Sequence, residues 1–182
     1  MRDNPLVGVL QTADDRSPVR LLDVDREGVR PGPGLAAKVW NPAASDDGIV
    51  LSSADPENPD ADHNTALDAY DALDGHRAWR LRAPSGSRLG SARIADGRVY
   101  VVRHPIHTDA DRGRRVRRVR GELLVLDADT GRLLHTLRLP STTVPESGDS
   151  AILDVGDATD GTDGTVTVRW RDEGPDLLII TD

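Results

Sequence analysis

Six arginines, Arg112, Arg114, Arg115, Arg117, Arg118 and Arg120, crowd one short stretch of a chain whose net charge is −8. A guanidinium presents a planar fork of donors that matches a carboxylate or a phosphate. Such a cluster can recognise an acidic protein surface, a phosphorylated segment or a nucleic-acid backbone. The chain's own surplus of Asp and Glu could satisfy the same forks. Just upstream, His104, His107, Asp109 and Asp111 offer imidazole and carboxylate ligands suited to zinc or another transition metal. A solvated loop collects the same residues. Asp154, Asp157, Asp160 and Asp163 recur at every third position, and Asp60-x-Asp62-x-Asn64 is a second oxygen-rich run. Calcium loops alternate Asp or Asn and close on a Glu, which neither run supplies. Turn chemistry explains both. With no Ser/His/Asp arrangement, phosphate-binding glycine loop or paired-carboxylate signature, we assign no catalytic residue, no cofactor and no metal ligand.

Composition narrows the classes further. The chain has 182 residues, 37% hydrophobic and 30% charged, which fits a soluble globular protein. No apolar run reaches the roughly 18 residues of a membrane-spanning helix. Met1–Leu10 has neither a basic lead nor a small-residue cleavage site, so it does not read as a signal peptide. A cytoplasmic location is expected, or export if the chain is a fragment of a longer one. Without cysteine there is no disulfide and no thiolate chemistry. The acidic balance argues against general nucleic-acid binding, which needs clustered positive charge. Lys38 is the single lysine and phenylalanine is absent, a bias that points to a high-GC bacterial source. The core must come from Val, Leu, Ile and Ala, with Trp40, Trp79 and Trp170 supplying most of the aromatic packing.

The elements that would position these residues are strands. Gly and Pro interrupt every helical periodicity, while short aliphatic runs end repeatedly in Asp-Gly, Asn-Pro or Pro-Gly turns. Leu6–Gln11, Pro18–Val24 and Gly28–Arg30 form a first, incomplete unit. Ala36–Asn41, Gly48–Ser53, Thr65–Ala72 and Arg77–Ala83 form a second. Leu89–Ala95, Arg98–Arg103, Gly121–Ala128 and Arg132–Leu139 form a third, and Ser150–Val155, Gly164–Arg171 and Asp176–Asp182 begin a fourth. Asp47-Gly48 and Asp96-Gly97 should link first strands to second strands. Polar stretches at 55–64 and 104–120 fall between the second and third strands of successive units, so both should emerge on one face. Val116 and Val119 suggest that the basic stretch runs on into the third strand.

The units repeat. Asp71, Gly75 and Trp79 map onto Asp127, Gly131 and His135 at one offset of 56 residues. Asp23, Asp71, Asp127 and Asp182 end apolar strands at spacings of 48, 56 and 55 residues. Four-stranded units of about 40–50 residues are the sequence signature of propeller blades. The fold class is therefore all-β: blades of four antiparallel strands in an incomplete ring of about three to four blades. The blades span roughly 1–34 (partial), 35–84, 85–140 and 141–182 (partial) of a single domain.

The pattern Ala69-x-Asp71-x-x-x-Gly75-x-x-x-Trp79 resembles the tryptophan-docking motif of the PQQ-like, quinoprotein-type β-propellers. Asp96-Gly97-Arg98-Val99-Tyr100-Val101-Val102, upstream of Leu123–Gly131, strengthens the resemblance, which covers roughly residues 36–140. It implies that Ala69 and Trp79 pack between neighbouring blades, while Asp71 and Gly75 shape the hairpin. In the next copy Asp127 and Gly131 are kept, but Val125 replaces Ala and His135 replaces Trp, so docking there is degraded. It further implies either a quinone-dependent dehydrogenase, built on a complete ring with a bound calcium, or a non-enzymatic module. The latter kind serves in protein assembly or as sensor domains attached to kinases. Lacking a complete blade set and a vicinal Cys pair, the chain is expected to be a non-catalytic binding or scaffold module. The dehydrogenase propeller is the alternative. Its expected partner is a protein, the remainder of a larger propeller, or further copies that complete the ring, with the arginine cluster as anchor.

Overall fold

Two-residue turns set the register of the sheets. Asp96 and Gly97 have φ of 49° and 67°, the paired left-handed geometry of a type I′ hairpin turn, which suits Asp-Gly. Gly48, at φ 84°, closes the corresponding turn one unit earlier. The computed structural model describes residues 6–10, 20–25, 28–35, 42–46, 48–52, 65–105, 116–119, 121–139, 142–145, 153–157, 165–170 and 177–180, with side chains at 28–35, 48–52, 65–90, 92–103 and 121–139. No helix occurs among them.

Four antiparallel sheets follow one another along the chain. The first is β1 (Leu6–Leu10), β2 (Arg20–Asp25) and β3 (Gly28–Gly34) in that order. The second is β4 (Pro42–Asp46), β5 (Ile49–Ser52), β6 (Ala66–Asp71) and β7 (Arg77–Arg82). The third runs β8 (Ser87–Ala95), β9 (Arg98–Pro105), β11 (Glu122–Asp127) and β12 (Leu133–Arg138). The fourth is β14 (Leu153–Asp157), β15 (Thr165–Trp170) and β16 (Leu177–Ile180). On either side of β11 and β12 in the chain, β10 (Val116–Val119) and β13 (Thr142–Pro145) pair in a separate ribbon.

Two expectations need correction. The first strand of the second sheet is Pro42–Asp46, whereas residues 36–41, with Trp40, lie outside the described residues. Asn41-Pro42 read as a turn, but β4 is an edge strand, where the missing proline N–H breaks no ladder. The basic stretch also does not run into the third strand. Val116–Val119 leaves the sheet to pair with Thr142–Pro145, and β11 starts afresh at Glu122, after Gly121. The β-branched run Thr142-Thr143-Val144 supplies the partner that the turn-rich surroundings hid.

Alternation along the strands puts one face of the second sheet against one face of the third. Leu51, Leu67, Ala69 and Trp79 meet Ala92, Val99, Val101, Leu124 and Leu126 in one buried cluster. Between sheets the main approaches are β4 and β6 to β8, then β14 to β8 and β9. The sheets thus come together at their first strands, and the gap opens towards their last. Four-stranded antiparallel sheets stacked face to face as such wedges are propeller blades, and the chain forms part of a propeller.

Leu126 is fully buried in the shared cluster, whereas Leu73 is 77% exposed on a turn. Leu126→Ala should lower the unfolding free energy by about 2–5 kcal/mol, and Leu73→Ala should stay within about 0.5 kcal/mol of the parent. Urea titration followed by far-ultraviolet circular dichroism would check both.

Candidate functional site

The same hairpin is built twice. In β6–β7, Asp71 Oδ1 accepts from Leu73 N at 2.7 Å, and Gly75 N donates to the Asp71 carbonyl at 2.8 Å. In β11–β12, Asp127 Oδ1 accepts from Thr130 N and Oγ1 at 2.9 and 2.6 Å, and Gly131 N donates to the Asp127 carbonyl at 2.9 Å. The Thr130 hydroxyl, then its backbone N–H, holds the Asp127 carboxyl below the usual carboxylate range. Each hairpin is also tied to its sheet's first turn, with Ala72 N donating to Gly48 O and Ala128 N to Gly97 O.

The two sheets are pinned together at that end. Trp79 lies 9% exposed, and its indole N–H donates to the Ala128 carbonyl at 2.7 Å. Its ring covers Gly131 so closely that a Cβ there would stand 2.6 Å from Cδ2. Ala69, opposite Trp79 across β6–β7, is fully buried beneath it. The equivalent slot at Gly75 is covered differently: a Cβ would meet the Gly34 carbonyl at 2.5 Å and Pro33 Cβ at 3.1 Å. His135, the counterpart of Trp79, is exposed on β12.

A buried polar cluster on the opposite face of the second sheet was not anticipated. Asp68 is fully buried and takes a two-pronged ion pair from Arg80, Nε to Oδ1 at 2.6 Å and Nη2 to Oδ2 at 2.7 Å. Arg77 Nη1 lies 3.6 Å from Oδ2, and the Tyr70 hydroxyl donates to Oδ2 at 3.3 Å. Burial first, then the Asp68 charge and its hydrogen bond, push the Tyr70 phenol from 10.0 up to about 12. The available signal was a carboxylate at the centre of the apolar run Ala66–Tyr70, directly opposite Arg80. On the third sheet Arg103 Nε donates to Glu122 Oε2 at 2.9 Å across β9–β11.

Of the two long connections, the structure describes only the strands that bound them and the β10 segment. The connections β5–β6 and β9–β11 both join second to third strands, so both leave their sheets at the end opposite the Trp79 seat. Arg117 and Arg118 lie on β10, in register with Val144 and Thr143 of β13. Arg112, Arg114, Arg115 and Arg120 lie outside the described residues, as do His107, Asp109, Asp111, Asp60, Asp62 and Asn64. His104 is the penultimate residue of β9, Asp154 is the second and Asp157 the last residue of β14, and Trp170 ends β15; Asp160 and Asp163 lie outside the described residues. Among the described residues, no group of three or more His, Cys, Asp or Glu could hold a metal ion. No helix among them is long and apolar enough to cross a membrane.

No protein-family model matches the chain, and no curated protein matches it. A number of solved structures resemble it, among them the following three. A europium-containing methanol dehydrogenase has a TM-score of 0.46 at 15% identity, over 72% of this chain and 23% of that one. The computationally designed Ika8 protein has a TM-score of 0.33 at 16% identity, over 94% and 57% of the two chains. BamB from Moraxella catarrhalis has a TM-score of 0.30 at 16% identity, over 90% and 57%. The chain spans less than two thirds of the length of each.

Gly97 and Gly131 share a φ of 67°, but only Gly131 has an indole above it. Gly97→Ala should cost only the left-handed backbone penalty of about 1–2 kcal/mol, and Gly131→Ala clearly more. In a Trp79→Ala background the excess at Gly131 should vanish, and a double-mutant cycle by denaturant titration reads this directly.

The raised Tyr70 phenol makes a second expectation. Its folded form holds the proton more tightly than the unfolded chain does. Its contribution is therefore complete below pH 10.0 and lost as the pH rises through about 12. Tyr70→Phe should flatten the decline of stability across that window, and phenolate absorbance on alkaline titration should show the native Tyr70 ionising late.

Proposed function

We propose that the chain is a segment of a PQQ-like β-propeller that works as a non-catalytic binding or scaffold module. Its partner is a protein, met on the loop-bearing end. One observation carries the reading: the second-to-third-strand connections of both four-stranded sheets leave from one end, and the β10–β13 ribbon anchors the basic one. A paired ribbon holds Arg117 and Arg118 at fixed spacing, whereas a free loop would have to order them at each encounter. Guanidinium forks at that end suit an acidic protein surface. The opposite end, tied by Trp79, Ala128 and Gly131, supplies the rigid base.

Replacing Arg114, Arg115, Arg117 and Arg118 by Ser together should weaken cross-linked capture of an acidic partner by about tenfold or more and flatten its salt dependence. The melting temperature should stay unchanged. Undiminished capture by that variant removes the anchor. In parallel, pyrroloquinoline quinone with calcium should leave melting temperature and quinone absorbance unchanged. A saturable shift in either would replace the scaffold reading with the dehydrogenase one.

A further inference from the structure

Strands β8, β9, β11 and β12 set Arg93, Tyr100, Val125 and His135 in one cross-strand row. The corresponding row of the second sheet is Ala44, Leu51, Ala69 and Trp79. From one blade to the next, Ala44, Leu51 and Trp79 give way to Arg93, Tyr100 and His135, and Val125 alone stays apolar. One step along the same face, beside the Asp96-Gly97 turn, Arg98 stands where the second sheet has Ile49. The apolar row packs on the third sheet in the shared cluster. The polar row faces the other way. Val99 and Val101 point into that cluster, so Tyr100 between them points to the side where β14 approaches β8 and β9.

Tyr100 is 1% exposed, and its buried hydroxyl has no hydrogen-bond partner among the described residues. A leucine would fill the place without that cost, as Leu51 does one blade earlier. A hydroxyl kept there points to a group that it bonds. The surroundings choose the charge of that group. Arg93 lies directly opposite on β8, and facing side chains at that spacing can reach a common ligand. Arg98 adds a second positive charge to the same face. Among the described residues of these four strands, the one carboxylate on that face is Asp127, whose Oδ1 is already taken by Thr130.

We propose that the third sheet binds a small oxyanion, a carboxylate or phosphate group, on the face turned towards β14, where it accepts from the Tyr100 hydroxyl and the Arg93 guanidinium. A planar fork engages two oxygens at once, and a phenol adds a short bond to a charged acceptor. Arg93 is half-buried on the first strand of its sheet, so the oxyanion enters along β8. His135, at the outer end of the row, is exposed and takes no part. The site is separate from the basic ribbon, since β10 and β13 lie outside the third sheet, and it stands or falls independently of the partner face proposed above.

The test is thermal melting of the full chain in a chloride buffer, titrated with sodium phosphate or sodium acetate against sodium chloride at matched ionic strength. One or both oxyanions should raise the melting temperature saturably, by about 3 °C or more at saturation, and the larger rise tells phosphate from carboxylate. Tyr100→Phe should melt no lower than the parent in chloride, because it deletes a buried hydroxyl that has no partner, and should weaken the oxyanion by at least about fivefold. Arg93→Gln should weaken it by a similar factor, whereas Arg117→Ser with Arg118→Ser should leave the rise intact. No rise above that in chloride overturns the proposal and leaves the hydroxyl to water or to a carboxylate of β14, which carries Asp154 and Asp157. A Tyr100→Phe variant that melts well below the parent in chloride also overturns it, since the hydroxyl would then bond within the protein. A rise unchanged in Tyr100→Phe does the same, as does one lost with the two ribbon arginines, which would assign the anion to the partner face.

Discussion

The stack of sheets depends on one seat, the indole of Trp79 on the bare Cα of Gly131. Sheets that approach at their first strands must diverge at their last, and the widening gap has to be filled by something large. An indole fills it, and burial obliges its N–H to find an acceptor, which the Ala128 carbonyl provides at 2.7 Å. The acceptor is available because the hairpin is locked. Ala128 N is committed to Gly97 O, and Gly131 N to Asp127 O. A side chain on Gly131 would lift the ring, separate Trp79 from the carbonyl and reopen the wedge. Asp127, Gly131 and Trp79 therefore act as one device, although the first two lie on one sheet and the third on another.

The two faces of the second sheet solve the packing problem with different chemistry. Towards the third sheet it presents Leu51, Leu67, Ala69 and Trp79, an apolar contact whose indole N–H is satisfied by the Ala128 carbonyl. On the other face Asp68 is buried under the forks of Arg80, with Arg77 and Tyr70 completing its shell. A buried ion pair contributes little net stability compared with well-packed apolar groups, but removing one partner is costly. Such a cluster tolerates few geometries, so it constrains how the second sheet meets its neighbour. At the third sheet the positions equivalent to Asp68 and Tyr70 are Leu124 and Leu126, and the constraint passes to Trp79 instead.

Much of this was legible in the sequence, and the limits have physical causes. The hairpins could be read because Asp and Gly are forced by turn geometry, which is local. The offset between Asp71 and Asp127 exposed the repeat for the same reason. Strand β4 was misplaced because Asn41-Pro42 obeys a local rule that an edge position relaxes. The β10–β13 ribbon joins residues separated by the whole of β11 and β12, and no local preference encodes that pairing. The Asp68 cluster escaped because a carboxylate within a strand reads as solvent-facing until its cross-strand partner is known. That Trp79 reaches Ala128 rather than a neighbour on its own sheet is a tertiary fact, carried by no single segment.

His135 shows where a repeat stops being repetition. Trp79 and His135 occupy the same register on β7 and β12, yet one ring is buried against the next sheet and the other is exposed beside Leu137. At 135 the gap beyond the last strand lacks the large group that fills it at 79, and the smaller imidazole is satisfied by water instead. Leu137, two residues on along the same face, is 43% exposed, whereas its counterpart Leu81 on β7 is partly buried against the shared cluster. The register that carries a pin at 79 therefore carries none at 135, and the Trp79 seat gives only when the second and third sheets part.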